Sequence, residues 1–195
     1  EALALRAQAQ AVDAAAKEAV GQTAWSPGAP GWLVDLAGDD AVAPFRTLVA
    51  VNLYNGNNPL KGKGGLNTAI NDEWLARVAG LTTLTNLDVA NCDVRGPGLK
   101  HIGTLKNLER LNFTLTPLTD PHLKHLSGLT KLRIFSFASA KCTGEGFAQL
   151  GALQAVENLN FHYTPVNDAG LKEIARLKNL ERLEIVHTHF TDAGA

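Results

Sequence analysis

The residues best suited to chemistry lie toward the C-terminal end of the chain. His162, His187 and His189, with Tyr163 and Glu184, have the side chains for a metal site or for acid–base work. Their spacing argues against both, because no H-x-x-x-H or H-E-x-x-H register appears and His189 falls in a turn position with Pro117, Lys141 and Pro165. Gly62-Lys63-Gly64-Gly65 has the outline of a phosphate-binding loop, but it fails on register. Five residues separate Gly56 from Gly62 where the motif allows four, and Gly64 stands where a Ser or Thr would hold magnesium. Nothing in the pattern supplies Cys92 or Cys142 with a base or a cationic neighbour. No nucleophile elbow, dinucleotide fingerprint or carboxylate pair is present. These absences predict a non-catalytic chain with no cofactor and no metal.

The elements that would have to position any such residue are set by one period. Leu84, Leu108, Leu132, Val156 and Leu180 form a column with a step of 24 residues, and four further columns keep the same step. One of them reads Val89, Phe113, Phe137, Phe161, Ile185. A period of this length held over four steps marks a solenoid. Within Leu108 to Leu129 the first six residues alternate into a short strand with Leu111 and Phe113 inward. Asp120 before Pro121 reads as the N-cap of a returning helix, as does Asp168 before Ala169, with Asp72 and Asp192 in the same column. Leu123, Leu126 and Leu129 then give one helical face. Stacked units predict an α/β fold with a parallel sheet on the concave side and short helices on the convex side, since helices are wider than the ~4.8 Å between strands.

The repeated pattern, L-x-x-L-x-L-x-x-(T/C)-x-(V/L)-T-D-x-G-L-x-x-L-x-x-L, resembles the leucine-rich repeat. It is most similar to the cysteine-containing subclass and to related bacterial 24-residue repeats that share the T-D-x-G-L turn. The resemblance covers about Leu48 to Gly194 and implies a right-handed horseshoe solenoid. It also implies that Cys92, in the column of Thr116, Ala140, Thr164 and Thr188, bonds to the turn backbone. The sequence departs from the pattern where Gly96 and Gly144 replace the Asp, where Trp74 and His122 replace the Gly, and where Cys142 joins Val94 and Val166 in an apolar column. The subclass found in ubiquitin-ligase substrate receptors carries an F-box before its repeats. The first 47 residues contain none, so that role does not carry over.

Two segments precede the regular repeats, and the expected division is 1–47 for a helix and capping segment and 48–195 for repeats. Glu1 to Val20 is rich in helix formers and is followed by Gly21, which predicts one helix covering the open end of the solenoid. Ala24 to Gly31 reads as a connection, Trp32 to Leu36 as a short strand, and Trp25 and Trp32 as packing residues of the cap. Leu48, Val51 and Leu53 reproduce the strand spacing 36 residues upstream of Leu84, Leu87 and Val89 rather than 24. The extra twelve residues therefore fall within Tyr54 to Thr68. Insertions in solenoids map to loops on one face, often the binding face, so Tyr54, Asn57, Lys61 and Lys63 become candidates for contact.

The outward strand positions supply the other candidates. One column reads Asp88, Asn112, Ser136, Asn160, Glu184 and its neighbour reads Asn86, Arg110, Ile134, Asn158, Arg182. Farther along come His162, Tyr163 and His187. A polar, ring-containing surface of this kind is what protein binding requires, although a merely solvated sheet has the same composition. The expected function is a non-catalytic module that binds a protein or peptide on its concave face. The alternative is an assembly scaffold working through the C-terminal end, or a fragment of a larger protein, with self-association through Thr191 to Ala195. A net charge of -1 argues against nucleic acid or an anionic membrane as partner, and no apolar run approaches the ~20 residues of a membrane span. Two unpaired cysteines favour a reducing compartment, whereas a start at Glu1 without Met favours a removed leader; the balance leans toward export or the cell envelope.

Overall fold

The computed structural model describes residues 2–18, 22–25, 48–53 and 66–191. Among them, six parallel strands are stacked one per coil: β2 (Leu48–Asn52), β4 (Asn86–Asp88), β6 (Arg110–Asn112), β7 (Ile134–Ser136), β8 (Asn158–Asn160) and β9 (Arg182–Glu184). The register is regular, with Leu87 opposite Leu111, Leu111 opposite Phe135 and Phe135 opposite Leu159. This is the right-handed horseshoe expected from the repeat. Short 3-10 segments at Trp74–Val78, Asp120–Leu126 and Glu145–Gln149 and short α-helices at Leu99–Ile102 and Asp168–Ile174 return the chain along the other side. A 3-10 helix rises about 2.0 Å per residue against 1.5 Å for an α-helix, so it spans the return with fewer residues.

The N-terminal end differs from the expectation in one respect. Helix α1 (Ala2–Glu18) buries Ala9, Val12 and Ala16, one helical face, against the first coil. The Gln8 side-chain amide donates to the carbonyls of Arg77 and Ala79 at the end of a 3-10 helix, where backbone carbonyls run out of partners within the helix. Ala24 and Trp25, read from the sequence as part of a connection, belong instead to β1 (Gln22–Trp25), which pairs antiparallel with β2. The reason is the edge of β2, whose backbone groups need a partner that the period does not supply. Asn67 and Thr68, assigned to the inserted loop, lie in β3 (Asn67–Asn71), which pairs with β5 (Cys92–Asp93) in a separate two-stranded sheet. The predicted strand at Trp32 to Leu36, the side chains of Trp25 and Trp32, and loop residues Tyr54, Asn57, Lys61 and Lys63 lie outside the described residues.

A stack of rings forms the centre of the core. Phe113, Phe137 and Phe161 occupy one column, with centroids 6.0 and 5.2 Å apart and near-parallel planes at 22° and 9°. Phe135 and Phe147 meet Phe137 at 4.2 and 5.9 Å in tilted and edge-on geometry. All five are buried, and offset or edge contacts of this kind add to the gain from burial.

The aspartate column works differently from the expected N-cap. Asp120 does not accept from the amides of its own 3-10 helix, whose N-cap Thr119 makes no side-chain bond either. Its carboxylate reaches the following coil, where Oδ1 accepts from the amides of Gly144 and Gly146 at 3.1 and 3.0 Å. Oδ2 accepts from the Thr143 amide and hydroxyl at 2.6 and 3.1 Å. Asp72 treats Arg95, Gly96 and Gly98 in the same way. Asp168 accepts from the amide and hydroxyl of Thr191, while the cap of its own helix is Asn167, which accepts from Gly170. Each glycine in the column, Gly96 at φ 136° and Gly144 at φ 89°, adopts a left-handed turn and receives the carboxylate of the coil before it. The departures from the repeat pattern are therefore the other half of a two-coil alternation. A side chain at Gly144 would also press on Gly170, whose Cα lies 3.1 Å from the position of an added Cβ.

Three outcomes follow for the folded chain. Phe137→Ala should cost about 3–5 kcal/mol in chemical denaturation, the range for emptying a buried aromatic site. Asp120→Ala should cost about 2–3 kcal/mol by stranding the amides of the next coil, and Asp120→Asn roughly half as much because one acceptor oxygen remains. Asp168 is held below the usual aspartate range, first by the Thr191 amide and then by its hydroxyl, with partial desolvation opposing and Lys172 adding a smaller pull. A carboxylate whose pKa is depressed by folding stabilises the fold above its unfolded pKa and loses that contribution as pH falls through the folded one. Its titration followed by NMR should have a midpoint below the ordinary ~3.9 of aspartate, and Thr191→Val should restore only part of the difference because the amide bond survives.

Candidate functional site

The outward positions of the six parallel strands form a floor with two polar columns, and the hydrogen bonds divide them. In the column that starts at Asp88, the side chains are tied to one another and to the turn beyond the strand. Asp88 Oδ1 accepts from the Ala90 amide at 2.9 Å, Asn112 Oδ1 from Thr114 at 2.9 Å and Asn160 Oδ1 from His162 at 2.9 Å. The side-chain amide of Asn112 donates to Asp88 Oδ2 at 3.2 Å and that of Asn160 to Glu184 Oε2 at 2.7 Å. His162 Nε2 lies 3.3 Å from the same Glu184 oxygen. This column thus supports the strand ends.

The neighbouring column is open. Arg110 and Arg182 are exposed and make no ion pair among the described residues, whereas Arg95, Arg133 and Arg176 are paired with Asp93, Glu157 and Glu173. Two hollows lie over the floor. One of ≈ 360 Å³ takes in Asn86, Asp88, Arg110 and Asn112; the other, ≈ 270 Å³, takes in Asn158, Asn160, Arg182 and Glu184. They meet at Ile134 and Ser136, which line both. Sequence reasoning placed these two residues in the columns but not among the candidates, since neither is charged or aromatic. The available signal was an isoleucine in an outward column otherwise made of Asn and Arg.

The remaining candidates stand at the rim. Asn91, Leu115, Ser139, Tyr163 and His187 are consecutive members of one column, and all five adopt a left-handed backbone with φ between 55° and 59°. That conformation is strained for residues other than glycine. It persists because the amides of Asn91, Leu115, Ser139 and Tyr163 each donate to a carbonyl of the following coil at 2.7–2.8 Å. Tyr163, 63% exposed, stacks on His187 with ring centroids 4.6 Å apart and planes at 17°. His162, His187 and His189 do not converge: His162 faces Glu184, His187 lies on Tyr163, and the His189 amide bonds to Val166. No group of three potential metal ligands occurs among the described residues. His101 and His125, in one convex column, are half-buried, and His125 stacks on His122 at 6.5 Å.

A larger hollow of ≈ 720 Å³ lies at the start of the strands, where Glu109, Arg133, Glu157 and Glu181 alternate with Lys131 and Lys178 around it. Arg133 and Glu157 form a bidentate pair at 2.8 and 2.7 Å that raises the guanidinium pKa and lowers the carboxyl one. Both groups are exposed, where such pairs contribute little to stability.

Cys92 and Cys142 are free and buried. Burial, helped by nearby Asp88, pushes the Cys92 thiol up to about 12, and burial with nearby Asp120 raises Cys142 as well. Neither is a nucleophile at neutral pH. Cys92 Sγ donates to the turn backbone at the Ala90 carbonyl, as the resemblance implied, one residue on from the carbonyl position that Thr116 and Thr164 reach at Phe113 and Phe161. Because both thiols are enclosed, an oxidising compartment would leave them unpaired, and their free state no longer argues for a reducing one. No helix among the described residues is long and apolar enough to cross a membrane.

Known proteins agree with the architecture. A family model of the leucine-rich repeat matches residues 80–103. No curated protein matches the sequence. Among solved structures, an internalin from Listeria monocytogenes superposes with a TM-score of 0.54 at 23% identity, over 60% of this chain and 33% of that one. Internalin C2 from the same organism gives 0.53 at 22% identity, over 60% and 48%. A leucine-rich-repeat protein of Leptospira interrogans gives 0.43 at 24%, over 61% and 34%. The chain thus spans less than half the length of each, and the likeness to the two internalins, at these identities, is one of fold. The 24-residue register, the matched repeat and the stacked parallel strands together identify this chain as a leucine-rich-repeat protein.

Proposed function

We propose that the chain is a non-catalytic module that binds a protein or peptide on the concave floor of its sheet, the surface between Asn86 and Glu184. Leucine-rich repeats serve in general as protein-interaction modules, and the coarse assignment follows from the repeat. The observation that carries the finer one is the pair of adjoining hollows that meet at Ile134 and Ser136, with the two unpaired guanidiniums of Arg110 and Arg182 on either side. Binding sites are concave surfaces with an apolar centre and a few polar groups around it, and arginine is enriched where partners dock. Tyr163 stacked on His187 at the rim adds an exposed aromatic contact. Candidates Tyr54, Asn57, Lys61 and Lys63 belong to the same proposal as a flanking loop, on the strength of their inserted position alone. We place the module outside the cytoplasm, a setting its enclosed thiols tolerate.

A second reading rests on the last coil, where Leu180, Leu183 and Ile185 are only partly buried and Val186 is 49% exposed. Another coil of a longer chain, or a second copy, would cover that face.

The two readings separate experimentally. Ser136→Trp places a bulky ring across both hollows and should reduce capture of a crosslinked native partner by tenfold or more at an unchanged melting temperature, while Lys124→Glu on the convex side should leave capture intact. Equal capture by all three proteins would refute the floor as the site. Light scattering should give a monomer; a concentration-dependent dimer lost in Val186→Glu would favour the second reading.

A further inference from the structure

We propose that the occupant of the floor is an extended acidic peptide running across the strands, with two carboxylates on Arg110 and Arg182 and an apolar side chain on Ile134 between them. This rests on the concave reading above and adds the chemistry of the partner. Asp88 and Glu184, the carboxylates of the floor, accept hydrogen bonds from Asn112 and Asn160, and Asp88 also holds the Ala90 amide. Arg110 and Arg182 make no side-chain hydrogen bond or ion pair among the described residues, whereas Arg95, Arg133 and Arg176 are paired with Asp93, Glu157 and Glu173. Glu109 and Glu181, adjacent in sequence to the two arginines, line the hollow at the start of the strands with Lys131 and Lys178 and form no ion pair with either arginine among the described residues. Among the described residues the floor therefore presents two guanidiniums that no carboxylate pairs, although Asp88 and Glu184 line the same hollows.

The register sets the spacing of what they would receive. Arg110 is directly opposite Ile134, Ile134 opposite Asn158 and Asn158 opposite Arg182. Three steps at the ~4.8 Å between strands put the two arginine positions about 14 Å apart, and an extended chain advances about 3.4 Å per residue. The matching peptide has acidic residues four positions apart, with an apolar residue midway between them, the one intervening position whose side chain shares their face. Ile134 is the one large apolar side chain on the floor columns among the described residues, and it lies where the two hollows join. Asn158, which makes no side-chain hydrogen bond among the described residues, is left to meet the peptide backbone between the anchors.

A random twelve-residue peptide display, selected on the whole chain and counter-screened on Ser136→Trp, tests this directly. The expected result is that peptides dependent on an open floor carry two acids four positions apart with an apolar residue between. A synthetic peptide of that design should bind about tenfold more weakly to the double variant Arg110→Ala, Arg182→Ala, and progressively less well as salt is raised. A matched peptide with lysines in place of the acids should not bind. Should Ser136→Trp melt early, Ile134→Lys serves as the blocked floor, with its melting curve as the control. Floor-dependent peptides without acids, or acidic ones indifferent to the loss of both arginines, would overturn this inference and leave the concave reading standing. Peptides that bind the blocked floor as well as the open one would overturn both.

Discussion

No coil of this protein can satisfy its own backbone. The amides at the end of each strand donate to the following coil, Val89 to Asn112, Phe113 to Ser136, Phe137 to Asn160 and Phe161 to Glu184, and the turn residues beyond them do the same. A single unit would leave a row of unpaired polar groups and one exposed apolar face, both costly, so stability exists only in the stack. The constant step follows from this. An inserted or deleted residue within a strand would displace every bond on both sides, which is why the extra length between Leu53 and Ile70 is taken up outside the strands.

The same dependence explains features that look anomalous in isolation. Five left-handed residues, one in each of five successive coils and including Leu115 and Tyr163, would be a series of separate penalties in an isolated chain. In the stack Asn91, Leu115, Ser139 and Tyr163 direct their amides to the next coil, and the geometry repeats because its neighbour repeats it. The alternation of Asp and Gly in one column is another form of coupling. Asp72 and Asp120 provide carboxylates that the left-handed turns at Gly96 and Gly144 receive, so adjacent coils are complementary rather than identical. Gly98 and Gly146, two positions on, complete the cradle because a Cβ there would strike the backbone of Asp72 or Asp120.

These supports have a consequence for the surface. The hydrogen bonds that close the strand ends use the acceptors of Asp88, Asn112, Asn160 and Glu184, so half of the polar floor is structural. What remains unengaged is the adjacent column, with Arg110, Ile134, Asn158 and Arg182. Exposure alone would not separate the two columns. Hydrogen-bond partners do.

Much of the architecture was legible from the residues: the period, the inward columns, the helix at the N-terminus and the convex returns follow from the alternation and recurrence of apolar side chains, which are local and additive. The candidate site was legible as a set of outward positions, and the polar members came together on the floor as the register required. Three things were decided only by tertiary structure. The aspartates bond forward by 23 to 26 residues rather than to their own helices, and β1 turns back to cover the open edge of β2. Ile134 becomes the centre of the surface because two hollows join over it. Each depends on which groups the neighbouring coil leaves unsatisfied, a property of pairs of coils that cannot be read from the pattern of one. The sequence by itself determined the repeat and therefore the fold; contact between repeats decided which polar residues hold the structure together and which remain free to bind.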